Sequence, residues 1–376
     1  MKIALFAGEV SGDNYGALLA GHLLRLQPGV SLFGLGGPAM KRAGVSLIEG
    51  IPSGIMGFSG VAANLPRLIA GFRKTVGIVR EEKPDLAVLI DNPGFNLRLA
   101  AAIGREVPCW YYVPPKIWAH GYGRVRRMKQ SLRGVIPIFP FERALYEKEN
   151  IPCRWFGHPV TDIVETNPDT ARFRSACLPA GDRPLIGLLP GSRREEIIRL
   201  LPVFLSLITA VGKKKPVHAV VSAATAEARK TIGDILRAGG ADLPVWEGSP
   251  YPLMASSDLL LAACGTVNLE IALLKRPFLV FYRLSGFNYA LARLVLQLKT
   301  ASPVNIILGE TAVPEYLQRI PEGEAAGRIF ELLEHGPLFE REQAAFRQLE
   351  GLLGERNVSE QVAGFLLKEI RSSISE

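Results

Sequence analysis

Short apolar runs alternate with helix-patterned stretches along almost the whole of this chain, and they do so in two successive sets. The first set reads "KIALFAG", "VSLFGLGG", "PDLAVLID", "PCWYYVPP", "GVIPIFP" and "CRWFGHP". The second starts near residue 184 with "PLIGLLPGS" and continues through "PVHAVVSA", "LPVWEG", "DLLLAACGT" and "RPFLVFYR". A strand followed each time by a helix has one economical solution. The helix carries the chain back, the strands lie parallel, and both faces of the sheet are covered. The segment "ETNPDTARFRSACLPAGDRP" (165–184) is rich in polar residues, Pro and Gly and reads as a linker.

The expectation is therefore an α/β chain of two Rossmann-like domains whose parallel sheets face a central cleft, with ligands at the carboxyl ends of the strands. A length of 376 residues permits two such cores. We expect domains over 1–165 and 184–340, with helices over 341–376. The net charge of +8 favours anionic partners: phosphorylated substrates, nucleic acid or an acidic membrane surface. Cys109, Cys153, Cys177 and Cys264 are far apart, and the five histidines are scattered, which argues against a metal site or a disulfide framework. The apolar start turns polar at Glu9 and no run reaches about 18 apolar residues, so a reduced, cytoplasmic protein without signal peptide or membrane span is expected.

Three strand-to-helix junctions have the composition of ligand sites. "AGEVSGD" (7–13) is a small-residue turn in which Gly8 and Gly12 allow close backbone approach, while Glu9 and Asp13 suit a neutral, hydroxylated ligand better than a phosphate. Read as structure alone, it is a tight turn with Asp13 near an N-cap. "LLPGSRREE" (188–196) reads as an anion site, with amides at Gly191 and Ser192 and a guanidinium at Arg193. The alternative is a helix capped by Ser192 with Glu195 or Glu196 completing a capping box. "AACGTVNLE" (262–270) places Gly265 and Thr266 at a second such junction, with Glu270 one turn on, where a carboxylate suits ribose hydroxyls. A fourth junction, "LIDNPGFN" (89–96), ends a buried strand on the carboxylate of Asp91, either a turn-former or a proton acceptor.

The remaining signals are amphipathic or aromatic. The stretch 64–83 has Leu65, Leu68, Ile69, Phe72, Val76 and Val79 at helical spacing beside Arg67, Arg73, Lys74 and Arg80. The stretch 286–301 is apolar almost all round. Either alone reads as core; the pair fits a bilayer surface or an acyl-chain groove. "YYVPPKIWAHGYGRVRRMKQ" (111–130) mixes aromatic and basic residues without any RNA-binding signature.

In order and spacing, "AGEVSGD", "GLGGPAM", "IMGF", "KPDLAVLIDNPGFN", "YYVPPKIWA", "FPFERALY", "FGHP", "LLPGSRREE", "SDLLLAACGTVNLE", "PFLVFYR" and "VPEYLQ" together resemble the lipid-A-disaccharide synthases. The resemblance runs over nearly the whole chain. It implies an inverting hexosyltransferase of the two-domain GT-B kind, active in lipid A biosynthesis, needing no metal and no cofactor. Such an enzyme transfers 2,3-diacylglucosamine from its UDP donor to 2,3-diacylglucosamine 1-phosphate and releases UDP. Asp91 would be the general base. Gly191, Ser192, Arg193, Gly265, Thr266, Glu270 and Asn305 would bind the donor, and Glu9, Ser11 and Asp13 the acceptor. The resemblance also implies peripheral contact of the 64–83 helix with the anionic inner-membrane surface. Its C-terminal helices would pack back on the first domain or exchange within a homodimer.

Departures from the family pattern cluster in the first half. A second acid is usual where Gly94 stands, and a glutamate where Gly60 stands. Pro114, Lys116 and His120 replace a serine, a glutamine or serine, and a tryptophan, and Val304 replaces a proline before Asn305. A paralogous GT-B enzyme with another lipid acceptor, a UDP-sugar 2-epimerase, and a non-catalytic lipid- or RNA-binding protein are the alternative readings.

Overall fold

The computed structural model describes residues 1–8, 10–49, 65–119, 121–178, 181–284 and 300–375. Glu9, Gly60, His120, the "IMGF" motif and nearly all of 286–301 lie outside these. The chain divides into two compact units, Met1–Asp162 with Leu353–Glu376, and Ile163–Leu352.

In the first unit the order is β1 (Lys2–Ala7), α1 (Val10–Leu26), β2 (Ser31–Leu35), α2 (Pro38–Arg42), β3 (Ser46–Leu47), α3 (Leu65–Glu82), β4 (Leu86–Ile90), α4 (Pro93–Ile103), β5 (Cys109–Tyr112), α5 (Arg124–Ser131), β6 (Gly134–Ile136) and α6 (Pro140–Lys148). The short α7 (Val160–Ile163) leads into the second unit, which continues with α8 (Thr170–Cys177), β7 (Leu185–Leu189), α9 (Arg194–Gly212), β8 (His218–Ala223), α10 (Ala226–Ala238), β9 (Val245–Glu247), α11 (Tyr251–Ser256), β10 (Leu259–Ala263), α12 (Val267–Leu273) and β11 (Phe278–Tyr282). It ends with α13 (Pro303–Leu308), β12 (Glu315–Leu317), α14 (Glu322–Leu333) and α15 (Pro337–Leu353); α16 (Val358–Ser375) closes the chain in the first unit.

Both sheets are six-stranded and every strand pair is parallel. Their orders, β3-β2-β1-β4-β5-β6 and β9-β8-β7-β10-β11-β12, are the same pattern twice. The chain starts in the middle, builds outward to one edge, then returns to the middle and builds to the other. The helices before and after the return must lie on opposite faces, which opens a crevice at the carboxyl ends of β1 and β4, and of β7 and β10. The central strands β4, β7 and β10 are buried at every residue, which is why their sequences are continuous apolar runs rather than alternating ones.

One expected strand is absent. "CRWFGHP" makes only an isolated bridge from Cys153 to Val135. Pro152 and Pro159 lack amide donors, and Gly157 turns the chain at φ 121°. The sixth strand of each sheet comes instead from two short segments, β3 and β12.

The C-terminal boundary falls at Leu353 rather than near 341. α15 packs within the second unit, where Phe346 stacks on Phe278 at 5.7 Å. α16 alone returns to the first. Its N-terminal amides at Asn357, Val358 and Ser359 donate to the Asp162 carboxylate at 2.7, 3.1 and 2.7 Å, and Phe365 meets the edge of Trp110 at 4.8 Å.

Glu342, on α15, is fully buried. One carboxylate oxygen accepts the Phe278 amide at 3.1 Å; the other has no partner among the described residues. Burial pushes this carboxyl well above its ordinary range, against the weaker opposing effect of the Phe278 amide. The folded state therefore holds this proton more tightly than the unfolded chain. The stability it contributes is present below the unfolded value, about 4.3, and is lost as pH rises towards the raised folded value. Glu342→Gln keeps the acceptor and removes the ionisation. It is expected to raise unfolding free energy by about 1–3 kcal/mol at pH 8, with the gain shrinking towards pH 4 in denaturant titrations.

Candidate active site

The first crevice brings together two segments far apart in sequence. Gly8 follows β1, and a Cβ there would lie 2.1 Å from Asn92 Nδ2. Gly12 is in the first turn of α1, where a Cβ would lie 3.7 Å from Asp91 Cβ and 3.6 Å from the Ile90 carbonyl. Gly8 is thus required because the Asp91–Asn92 corner occupies the adjacent space, whereas Gly12 only touches that corner at ordinary contact distance.

Asp91 and Asn92 are consecutive non-glycine residues in the left-handed region, with φ 52° and 45°. Such a conformation costs up to about 1–3 kcal/mol and persists because its surroundings impose it. The Asp91 carbonyl accepts the Tyr111 hydroxyl at 2.6 Å and Asn96 Nδ2 at 2.7 Å. Asn96 Nδ2 also reaches the Phe6 and Ile90 carbonyls at 3.1 and 3.2 Å, so one buried amide ties β1, β4 and α4 together. The Tyr111 hydroxyl is raised by burial first and the Asp91 charge second, and so stays a donor. Neither Asn96 nor Tyr111 stood out in the sequence. Asn96 had a signal, its place in the N-terminal turn of a helix beside a strand end. Tyr111 looked like any strand aromatic.

The other acceptor candidates separate. Ser11 is half-buried in the first turn of α1 beside this corner. Asp13 is buried, and its carboxylate accepts the amides of Gly37, Ala39 and Met40 at 2.7, 2.9 and 3.0 Å. It caps α2, not its own helix, so both oxygens are committed to the protein. Glu9 lies outside the described residues.

The loop after the neighbouring strand β5 starts at Val113, with φ 58°. The Pro115 carbonyl accepts the Tyr146 hydroxyl at 2.6 Å. Trp118 Nε1 donates to Glu142 at 2.8 Å. Burial pushes the Glu142 carboxyl up to about 7 against the Trp118 and Phe139 hydrogen bonds and the charge of Lys116. His158 is held down at about 3, by burial first and Lys116 second, and its Nδ1 accepts the Val160 amide at 3.0 Å.

In the second unit, β7 runs into Pro190 and Gly191, whose φ is 107°. A Cβ there would lie 2.4 Å from Glu196 Oε2, so glycine is required twice over. The N-cap of α9 is Arg193, not Ser192. Glu196 folds back to accept the Arg193 amide at 3.4 Å and pairs with its guanidinium at 3.6 Å. Ser192 is left exposed, and the Arg193 side chain is 69% exposed.

After β10, the Gly265 amide donates to Asn268 Oδ1 at 3.1 Å, and Asn268 Nδ2 donates to the Ala263 carbonyl at 3.0 Å. Asn268 is fully buried and pins the loop that carries Gly265 and Thr266. The Gly265 amide is therefore engaged. What this glycine offers is open space, with nothing within 4 Å of where a Cβ would stand. Thr266 is the N-cap of α12. Glu270 accepts the Tyr251 hydroxyl at 2.8 Å, and burial raises its carboxyl against that bond. The Tyr282 hydroxyl, at the end of β11, is raised by burial first, then by Cys264 and Glu196 against Arg193. The loops after β7 and β10 thus converge on this strand end.

Asn305 does not join them. It is buried, its Oδ1 accepts the Ala312 and Val313 amides at 2.9 Å each, and its Nδ2 donates to the Val313 carbonyl at 2.8 Å and to Glu315. Glu315 in turn accepts the Ala301 and Ser302 amides. Asn305 is the clamp of the 300–315 turn.

Two parallel sheets of this order, each with a glycine-lined strand-to-helix loop at its switch point, have the α/β architecture of the GT-B fold. Among solved structures the chain is similar to UDP-GlcNAc 2-epimerase from Neisseria meningitidis bound to UDP-GlcNAc (TM-score 0.65, 14% identity, 98% of this chain and 100% of that one). It is also similar to MurG from Acinetobacter baumannii (TM-score 0.56, 14% identity, 98% and 99%). These likenesses show the fold. The family profile described as lipid-A-disaccharide synthetase matches residues 3–363. Lipid-A-disaccharide synthases from Solibacter usitatus and Geobacter sulfurreducens are 35% and 33% identical, over 98% and 99% of this chain and 97% and 98% of theirs. The chain belongs to the lipid-A-disaccharide synthase family.

Proposed function

We propose that the protein is a lipid-A-disaccharide synthase, joining 2,3-diacylglucosamine from its UDP donor to 2,3-diacylglucosamine 1-phosphate. The observation that carries the reading is the placement of Asp91 at one switch point and of Arg193 with Gly265, Thr266 and Glu270 at the other, in a chain of this family. In the reaction the acceptor 6-hydroxyl attacks the donor's anomeric carbon. A C–O bond forms there, the bond to the diphosphate oxygen breaks with inversion, and the hydroxyl proton passes to the Asp91 carboxylate. Arg193 meets the charge that develops on the departing diphosphate, and Thr266 adds a hydroxyl. Gly191 and Gly265 let the backbone approach, and Glu270, steadied by Tyr251, accepts the ribose hydroxyls. Ser11 contacts the acceptor.

Peripheral membrane contact belongs to α3 and its neighbours. Arg67, Arg73, Lys74 and Arg80 are exposed, as is Ile69 at 45%, while Val79 is buried and Phe72 packs on Phe95 at 5.6 Å. Residues 65–133 hold 13 Lys/Arg against 5 Asp/Glu, a net +8 that equals the excess of the whole chain. Such a segment suits an anionic bilayer. Among the described residues no helix is long and apolar enough to cross one.

Calorimetric titration with UDP tests the donor half. Arg193→Ala is expected to weaken UDP about 10- to 100-fold. Glu270→Ala should erase the preference for UDP over its 2′,3′-dideoxy analogue. Wild-type affinity in Arg193→Ala would contradict the assignment.

A further inference from the structure

Lys116 has no role in the mechanism above, yet its surroundings are built to hold it. β4 and β5 are neighbours, with Ile90 opposite Tyr112, and the Asp91 amide donates to the Tyr112 carbonyl at 3.2 Å. Asp91 and the loop from Val113 therefore leave the same edge of the sheet side by side. That loop is fixed on both flanks of Lys116. Pro114 and Pro115 restrict it on one side, and the Pro115 carbonyl is held by Tyr146. On the other, Ile117 is buried, and Trp118 is bonded to Glu142 and set edge-on to Phe139 and Phe141 at 6.1 and 5.1 Å. Lys116 alone of this run is exposed. Its ammonium lies 5.4 Å from the centre of the Phe139 ring, a contact that orients a cation without neutralising it. Among the described residues no carboxylate lies within ion-pair distance of it, and buried His158 beside it is uncharged at neutral pH.

A pre-positioned ammonium with no ion-pair partner among the described residues, and only the buried Glu142 carboxyl within its electrostatic reach, stands at the sheet end that carries the base and is a receptor for an anionic group on whatever Asp91 deprotonates. We propose that Lys116 grips the phosphate of the acceptor and thereby makes this chain select a sugar 1-phosphate over the free sugar. The proposal rests on the reading of the first unit as the acceptor side. Because the loop is already rigid, little ordering opposes binding, and the contact is made equally before and during transfer. It should appear in the acceptor KM and not in the donor KM.

The test compares wild type, Lys116→Gln and Lys116→Arg, with 2,3-diacylglucosamine 1-phosphate and its dephosphorylated counterpart in mixed micelles. Both direct binding and transfer kinetics are measured. Lys116→Gln is expected to raise the dissociation constant and KM for the 1-phosphate acceptor about tenfold or more. Selectivity over the dephosphorylated sugar should fall by the same factor, donor KM should hold, and Lys116→Arg should restore most of the loss. Equal weakening of both acceptors would mark Lys116 as loop structure and overturn the proposal, as would an unchanged affinity. Failure of wild type to bind the 1-phosphate acceptor would also overturn it. Lys116-dependent binding without any UDP release would instead leave the proposal standing and sink the transferase reading.

Discussion

Asp91→Asn is expected to lower the turnover of glycosyl transfer about 10²- to 10⁴-fold while leaving the protein folded. The substitution keeps the backbone corner. Asn tolerates the left-handed backbone that Asp91 adopts at φ 52°. The contacts from Tyr111 and Asn96 go to its main-chain carbonyl, which asparagine keeps. The substitution removes the capacity to take a proton. The unfolding midpoint should move by no more than about 2 °C, and the donor KM by less than about twofold. Activity within tenfold of wild type, measured as initial rates of UDP release, would remove Asp91 as the base. Asn96→Ala gives a different pattern, because it frees the corner: turnover falls together with stability.

Asp13→Ala is expected to lower unfolding free energy by about 3 kcal/mol or more. The buried carboxylate satisfies three amides of the Gly37–Met40 turn, and alanine leaves all three donors without an acceptor. A Cβ at Gly37 would lie 2.5 Å from Asp13 Oδ2, so the turn is built tightly against the carboxylate. Denaturant unfolding of the variant reports this directly. A variant as stable as wild type, with a raised acceptor KM, would return Asp13 to the acceptor site that the family resemblance implies.

The two residues show where reading the sequence succeeds and where it stops. Strand–helix alternation is local in period, so both sheets were legible, and the junctions at 7–13, 89–96, 188–196 and 262–270 fall at the switch points because loops there follow buried strands. Residue types at those junctions were legible too. Partners were not. Asp13 looked like a cap for its own helix and caps one 25 residues on. Asn305 looked like a donor ligand and is held by four bonds within its own turn. Ser192 looked like an N-cap, and the chain advances one residue so that Arg193 and Glu196 take that task. "CRWFGHP" had strand composition, but Pro159 and the preceding Pro152 leave it one bridge. For Asp13 a tertiary hydrogen bond, invisible to spacing, decided between two local readings; for Asn305 and Ser192 it was a bond within the same segment.

Gly94, where an acid is usual, sharpens the point. A Cβ there would meet only Asn92 Oδ1, at 3.9 Å, so packing does not demand glycine. The missing carboxylate leaves Asp91 as the acid of this corner among the residues from 89 to 96.

The most direct measurement of the proposed transfer uses purified protein, UDP-2,3-diacylglucosamine and 2,3-diacylglucosamine 1-phosphate. UDP release and the lipid product are followed together by mass spectrometry and by NMR of the new anomeric centre. The expected result is one UDP for each disaccharide 1-phosphate formed, with the donor's anomeric configuration inverted. No UDP release, or release without a disaccharide, would contradict it.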